Sequence, residues 1–336
     1  MTDFAARMKG NVTVHLLVAR LLRGEPLALA RAISIVENSG NGAAEILAGV
    51  REHLGKATLI GITGPPGVGK STLIDALITE FRRRKRRVSV LAVDPSSPLT
   101  GGAILGDRVR MSRHTNDPGV FVRSIASRGH LGGLFRTVWG VLQVMDAFGP
   151  DFIIIETVGA GQSEVEIADY AHTNIVVCAP GLGDDIQAIK AGILEIADIL
   201  VVNKSDQPFA QSTVQQLAGM LSLRDPSVPV ARIISTTATN GDGIPELASA
   251  LEELHGSASG NDRNMENGAK ARRILARSAA HLLRERILTG SDPIVKSLCD
   301  RLKRREIDPP AAALELLSRL VIHEADATTG IDCFDR

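Results

Sequence analysis

The chain is 336 residues long, room for one α/β domain of ordinary size with helical additions. Lys+Arg and Asp+Glu both number 38, so the formal net charge is 0, and no overall field recommends nucleic acid or anionic lipid as a partner. Aromatic residues make up only 3%, no apolar run approaches the roughly 18 residues of a membrane span, and Cys178, Cys299 and Cys333 are too few and too scattered for a disulfide framework or a C-x-x-C metal site.

Met1 to Gly10 lacks the charged-then-apolar layout of a secretory signal, so a reducing, cytoplasmic compartment is expected. Residues 11–37 carry two helical patterns, Leu16, Leu17, Leu21, Leu22 and then Leu27, Leu29, Ile33, Ile35, Val36. Gly24-Glu25-Pro26 separates them with the usual punctuation, glycine after one helix and proline opening the next. A third short pattern around Ile46, Leu47 and Val50 completes a helical extension over residues 1–55 with no chemistry of its own.

From Lys56 the pattern changes to alternating strands and helices, which predicts a mostly parallel, doubly wound sheet with helices on both faces. Expected strands are Thr58 to Ile62, Val88 to Val93, Val120 to Val122, Phe152 to Glu156, Asn174 to Cys178, Ile199 to Val202 and Val228 to Ile234. Between the first strand and a helical run through Leu73, Ile74, Leu77, Ile78 and Phe81 stands Gly64-Pro65-Pro66-Gly67-Val68-Gly69-Lys70-Ser71-Thr72. This is the G-x-x-x-x-G-K-[ST] phosphate loop in the context it requires. Backbone N–H groups from Val68 to Thr72 converge on phosphate oxygens at the positive end of a helix. Lys70 adds a point charge, and the Ser71 hydroxyl suits a magnesium ion. Pro65 and Pro66 have no N–H to give and stiffen the front of the turn.

The second strand ends at Asp94 and leads into a Ser-, Gly- and Pro-rich stretch that reaches Asp107. Both acids are hard oxygen ligands of the kind magnesium takes, although Asp107 is equally a helix-capping residue. The apolar run Phe152 to Ile155 ends in Glu156, placed to hold magnesium through water, with Gly159 three residues on. Gln162 stands three residues beyond Gly159, where Ras-type GTPases put their water-orienting glutamine two beyond, so unaided hydrolysis is expected to be slow. After Cys178 comes Ala179-Pro180-Gly181-Leu182-Gly183-Asp184-Asp185-Ile186-Gln187-Ala188-Ile189-Lys190. It reads either as a mobile loop supplying Gln187 and Lys190 to transition-state charge or as an ordinary capped turn.

Asn203-Lys204-Ser205-Asp206 closes the next strand as N-K-x-D. Guanine presents N1–H and an exocyclic amine side by side, and one carboxylate, Asp206, accepts both. Adenine would leave that carboxylate unpaired, which makes the nucleotide GTP. Asn203 is expected to tether the loops and the Lys204 stem to pack along the base. Ser235, Thr237 and Ala238, after the last strand, are placed to offer N–H to the guanine carbonyl.

The run Arg82-Arg83-Arg84-Lys85-Arg86-Arg87 reads as a solvated helix end in preference to a nucleic-acid patch. Residues 56–256 form the nucleotide domain. Beyond it, 257–336 comprise a linker rich in Ser, Asn, Gly and Asp and a helical arm whose apolar stripe packs on its own domain or pairs with another chain.

Taken together the motifs resemble the methylmalonyl-CoA mutase-associated GTPases, a cobalamin-chaperone family within the P-loop NTPases. The resemblance rests on Gly64 to Thr72, on Asp94-Pro95-Ser96-Ser97-Pro98 through Gly106-Asp107-Arg108, on Glu156-Thr157-Val158-Gly159-Ala160-Gly161-Gln162-Ser163-Glu164, and on Asn203-Lys204-Ser205-Asp206. It implies a homodimeric GTPase, using Mg2+ with GTP and GDP, that gates adenosylcobalamin loading into an acyl-CoA mutase and protects that enzyme. By this likeness Ser71, Asp94, Asp107 and Glu156 surround magnesium, residues 184–190 form a partner-ordered switch, and the partner binds cobalamin. A nickel-type metal-insertion GTPase and a P-loop small-molecule kinase are the rival readings.

Overall fold

The computed structural model describes residues 13–94, 112–114, 116–126, 133–157, 170–181, 196–222, 230–257, 272–289 in part, and 292–328. The chain divides into two compact units between residues 274 and 275.

The first unit is built on seven parallel strands: β1 (Thr58–Thr63), β2 (Val88–Asp94), β3 (Val120–Ala126), β4 (Phe152–Thr157), β5 (Thr173–Cys178), β6 (Ile199–Val202) and β7 (Arg232–Ser235). Their order across the sheet is β3-β2-β4-β1-β5-β6-β7. Every residue of β1, β4, β5 and β6 is buried, as expected of strands covered on both faces. All seven expected strands are present. The last runs from Arg232, residues 228 and 229 of its expected span lying outside the described residues, and β3 continues to Ala126, well past the expected Val122. Its polar Arg123 is accommodated because the guanidinium donates to Glu37 at 2.7 Å and to Ser34 at 3.1 Å.

Side-chain alternation assigns one apolar set to each face of the sheet. On one face Ile60, Ile62 and Ile154 pack with Leu73, Ile74, Leu77 and Phe81 of the helix following the phosphate loop and with Leu247 and Leu251 of a late helix. On the other, Leu59, Ile153 and Ile155 pack with Leu21, Leu29, Ile33 and Ile46 of three amino-terminal helices and with Val141, Leu142 and Met145. Each such fully buried side chain contributes about 2 kcal/mol by removal from water. The helices of these two clusters are α1 (residues 13–22), α2 (Pro26–Glu37), α3 (Ala43–Val50), α4 (Lys70–Arg83), α5 (Gly133–Ala147) and α7 (Ile244–Ser257), while α6 (Ala210–Leu221) packs Leu217 and Leu221 with Val176, Leu200 and Val202 in a separate cluster. Gly24 after α1 has φ +83°, and Pro26 opens α2. The amino-terminal helices are thus part of the main core.

The basic run at the end of α4 is less solvated than its composition suggests. Arg82 donates to Asp117, and Arg83 and Arg84 both bond Glu80. Arg84 and Arg86 reach Glu252 of α7, while Arg87 donates to Gly149 O and lies over the Phe148 ring. Hydrogen bonds from Arg83 hold the Glu80 carboxyl down at about 2. These side chains fasten α4 to its neighbours. Two turns before them on α4, buried Asp75 pairs with Arg113, and His114 Nε2 lies 3.2 Å away from its carboxylate.

At the strand entrances, Asp146 of α5 accepts N–H from Gly55, Lys56 and Ala57. The ring of Trp139, on α5, lies 6.3 Å from that of Tyr170. His172 then exchanges two hydrogen bonds with the Leu59 backbone. Cys178 is buried in β5, and burial pushes its thiol up to about 12.

The second unit has α8 (Pro293–Lys303), capped by Asp292 on Ile294 N–H, and α9 (Pro309–Thr328). Val295, Leu298, Ala312 and Leu316 form its small core, with Leu283 and Ile287 packed against it. Leu275, Leu282, Leu288, Leu314 and Leu317 are exposed. Among the described residues no helix is long and apolar enough to cross a membrane.

Candidate active site

The carboxyl ends of β1, β4, β6 and β7 bring the expected motifs to one edge of the sheet, as doubly wound sheets do. β1 ends at Thr63 and the phosphate loop begins at once. Two of its glycines are required by their surroundings. Gly64 has φ +143°, and a Cβ there would strike the Val177 carbonyl of β5. Gly69, at φ +94°, would drive a Cβ into the Asn203 amide.

Helix α4 starts at Lys70 behind Gly69, without a side-chain cap. Its first backbone N–H groups and the positive end of its dipole therefore face the loop, the arrangement that favours phosphate. Lys70 is buried, and its Nζ donates to Gly64 O at 2.7 Å and Pro65 O at 3.0 Å. The ammonium is held beneath the loop by its leading carbonyls, one of them from a proline. Pro65 thus contributes an acceptor where it lacks a donor.

Ser71, next on α4, donates its hydroxyl to Glu156 Oε1 at 2.7 Å, and both residues are buried. Glu156 therefore stands against the very hydroxyl expected to bind a metal. A serine oxygen and a carboxylate beside a phosphate cradle are hard donors, and they fit magnesium, which keeps several of its waters and takes few protein ligands. The Asp94 backbone closes β2 at the same edge. The Asp94 side chain, together with Asp107, Gly159, Gln162, Gln187 and Lys190, lies outside the described residues.

The base-side motif is fastened by Asn203. Its Nδ2 donates to Val68 O in the phosphate loop at 2.9 Å. Its Oδ1 accepts from the Thr236 hydroxyl and the Ala238 N–H, both at 3.1 Å. One buried amide thereby joins three loops, the tether expected of it. Lys204 adds a bond from Nζ to Gly67 O at 2.8 Å, and the Ser205 and Thr237 hydroxyls meet at 3.0 Å. Asp206 is exposed next to them. The N–H groups of Thr236, Thr237 and Ala238 already serve Val202 O, Asp242 O and Asn203 Oδ1. A guanine carbonyl would have to share one of these, and Ser235 is exposed at the strand end.

Sequence reasoning passed over Thr63 and Thr157, whose hydroxyls meet at 3.2 Å beneath the loop. Their only signal was a threonine at the carboxyl end of each strand, one of them next to Glu156. It also passed over Asp75, one turn beyond Ser71 on the same face of α4.

The family description "Methylmalonyl Co-A mutase-associated GTPase MeaB" matches residues 29–291. A Pyrococcus abyssi protein named as a GTPase is 41% identical over 314 residues, covering 91% of this chain and 96% of its own. The mouse protein named methylmalonic aciduria type A homolog, mitochondrial, is 36% identical over 260 residues, covering 72% of this chain and 63% of its own. Among solved structures, one titled LAO/AO transport system kinase superposes with a TM-score of 0.71 over 92% of this chain and 98% of that one. At 24% identity, that last likeness is one of fold.

Proposed function

Because this chain belongs to the methylmalonyl-CoA mutase-associated GTPase (MeaB) family, we propose that its GTPase cycle serves an adenosylcobalamin-dependent acyl-CoA mutase, gating cofactor loading and protecting the loaded enzyme. The mutase part of the reading is supported by the family match; the observation that carries its GTPase part is the Asn203 bond to Val68 O, since it makes the guanine motif and the phosphate loop one structure. In this proposal Gly64 to Thr72 hold the phosphates of GTP, Lys70 stabilises charge on them, and Asp206 reads guanine. Ser71 and Glu156, with Asp94 and Asp107, hold magnesium, which when bound shields phosphate charge. Gln187 and Lys190 complete hydrolysis when the partner orders them, so turnover alone is slow. Cobalamin stays with the partner. The second unit, with its exposed leucines, is the proposed dimerisation arm, and residues 56–256 are the nucleotide domain.

Co-purification with a candidate mutase tests this, with GDP and with a non-hydrolysable GTP analogue. A complex whose cofactor uptake differs between the two nucleotides is expected. Equal uptake with both, or no complex with either, would sink the mutase assignment while leaving the GTPase intact.

A further inference from the structure

Two adjacent residues at the end of β4 reach opposite faces of the sheet. Glu156 follows Phe152 and Ile154 toward α4 and meets Ser71 there, while Thr157 follows Ile153 and Ile155 toward the amino-terminal helices. The pairing of β1 with β4 sets Ile62 beside Glu156, and one step further Thr63 lies beside Thr157. Thr157 Oγ1 donates to Thr63 Oγ1 at 3.2 Å, with both residues buried.

The two contacts bracket the phosphate loop. Thr63 is the last residue of β1, directly before Gly64, and Ser71 is the second residue of α4 at the loop's far end. Valine is nearly isosteric with threonine and would fill both threonine sites without burying a hydroxyl. The other residues of these strands on that face are Leu59, Gly61, Ile153 and Ile155, so hydroxyls occur only at the edge that meets the loop. Both side chains are β-branched and stiff, which makes their single bond a constraint on register.

We propose that Thr157 and Thr63 are positioning residues: their hydroxyl pair keeps the end of β4 registered to the phosphate loop when magnesium occupies the Ser71 hydroxyl. Without metal, Ser71 and Glu156 hold one side and the threonines the other. With metal, the Ser71 oxygen is shared or withdrawn, and beside the backbone pairing of β4 with β1 and β2 the threonine pair is the side-chain bond left between the end of β4 and the start of the loop. The inference rests on the magnesium assignment proposed above.

Amide hydrogen exchange over residues 58–63 and 152–157 tests it, comparing nucleotide-free protein with the Mg·GDP form. In wild type these segments gain protection when magnesium and GDP bind. In Thr157→Val exchange should rise about fivefold in the Mg·GDP form, the effect of one neutral hydrogen bond, and stay near wild type without nucleotide. Turnover should fall by a similar factor with GDP affinity within about twofold, Thr157→Ser should restore both, and Thr63→Val should match Thr157→Val. Exchange raised equally in both forms, or in neither, overturns the tether. A wild type with no magnesium-dependent protection overturns the magnesium assignment and the tether with it. Should Thr157→Val fold poorly, Thr63→Val reads the same bond from the other strand.

Discussion

The two ends of the proposed nucleotide site are built differently. At the phosphate end Lys70, Ser71 and Glu156 are buried and bonded to one another or to the loop. At the base end Asp206 and Ser235 are exposed, and rigidity arrives from beneath through Asn203. The contrast separates two tasks. Charge stabilisation gains from a dry, fixed setting, whereas discrimination needs only one carboxylate presented at a fixed angle.

Breaking the buried end should have the largest effect. Lys70→Ala is expected to lower turnover about a hundredfold or more by removing a fixed charge; a phosphate-release assay under saturating GTP checks it, and near-normal turnover would refute the assignment. At the exposed end, Asp206→Asn should leave the fold unchanged and shift preference from guanine toward xanthine nucleotides by about a hundredfold, because the amide replaces an acceptor with a donor. Competition between GDP and XDP measures that shift.

Asn203→Ala joins the two ends and should damage both. It strands Val68 O, the Thr236 hydroxyl and the Ala238 N–H, at a cost of about 3 kcal/mol in denaturant unfolding, with weakened binding of GTP and GDP alike. Loss of base selectivity without loss of stability would show that the amide is not the joint described.

The smallest effect lies away from the site and serves as control. Glu80 has its folded pKa depressed from 4.5 to about 2, chiefly by Arg83. Its contribution to stability is therefore complete above pH 4.5 and disappears as pH falls toward 2. Arg83 is largely exposed and its bond is screened, while Arg84 is more enclosed, so Glu80→Gln should lower the thermal midpoint modestly at pH 7 and by progressively less as pH falls toward 2. An equal drop at both pH values would mean the effect is packing.

The sheet was legible because parallel strands buried on both faces are written as continuous apolar runs, as in Ile153-Ile154-Ile155 and Ile199-Leu200-Val201-Val202. The phosphate loop and N-K-x-D were legible because their chemistry is local. What escaped depends on partners distant in sequence. Arg123 prolongs β3 only because α2 supplies Glu37, and the arginines from Arg82 onward look solvated until Asp117 and Glu252 come into place beside them. Asp75 is unexceptional in a list of helical residues, and only the fold supplies Arg113 and His114. The Thr63–Thr157 bond joins residues 94 apart, so no local pattern announces it.

The chain contains one tryptophan and one tyrosine, and the fold sets Trp139 and Tyr170 side by side, two residues before His172 grips β1. Excitation of that phenol will be relayed to the indole, giving one clean emission band free of competing fluorophores. The protein therefore comes with its own optical gauge for the junction of β1 and β5, readable as the fold is opened by denaturant.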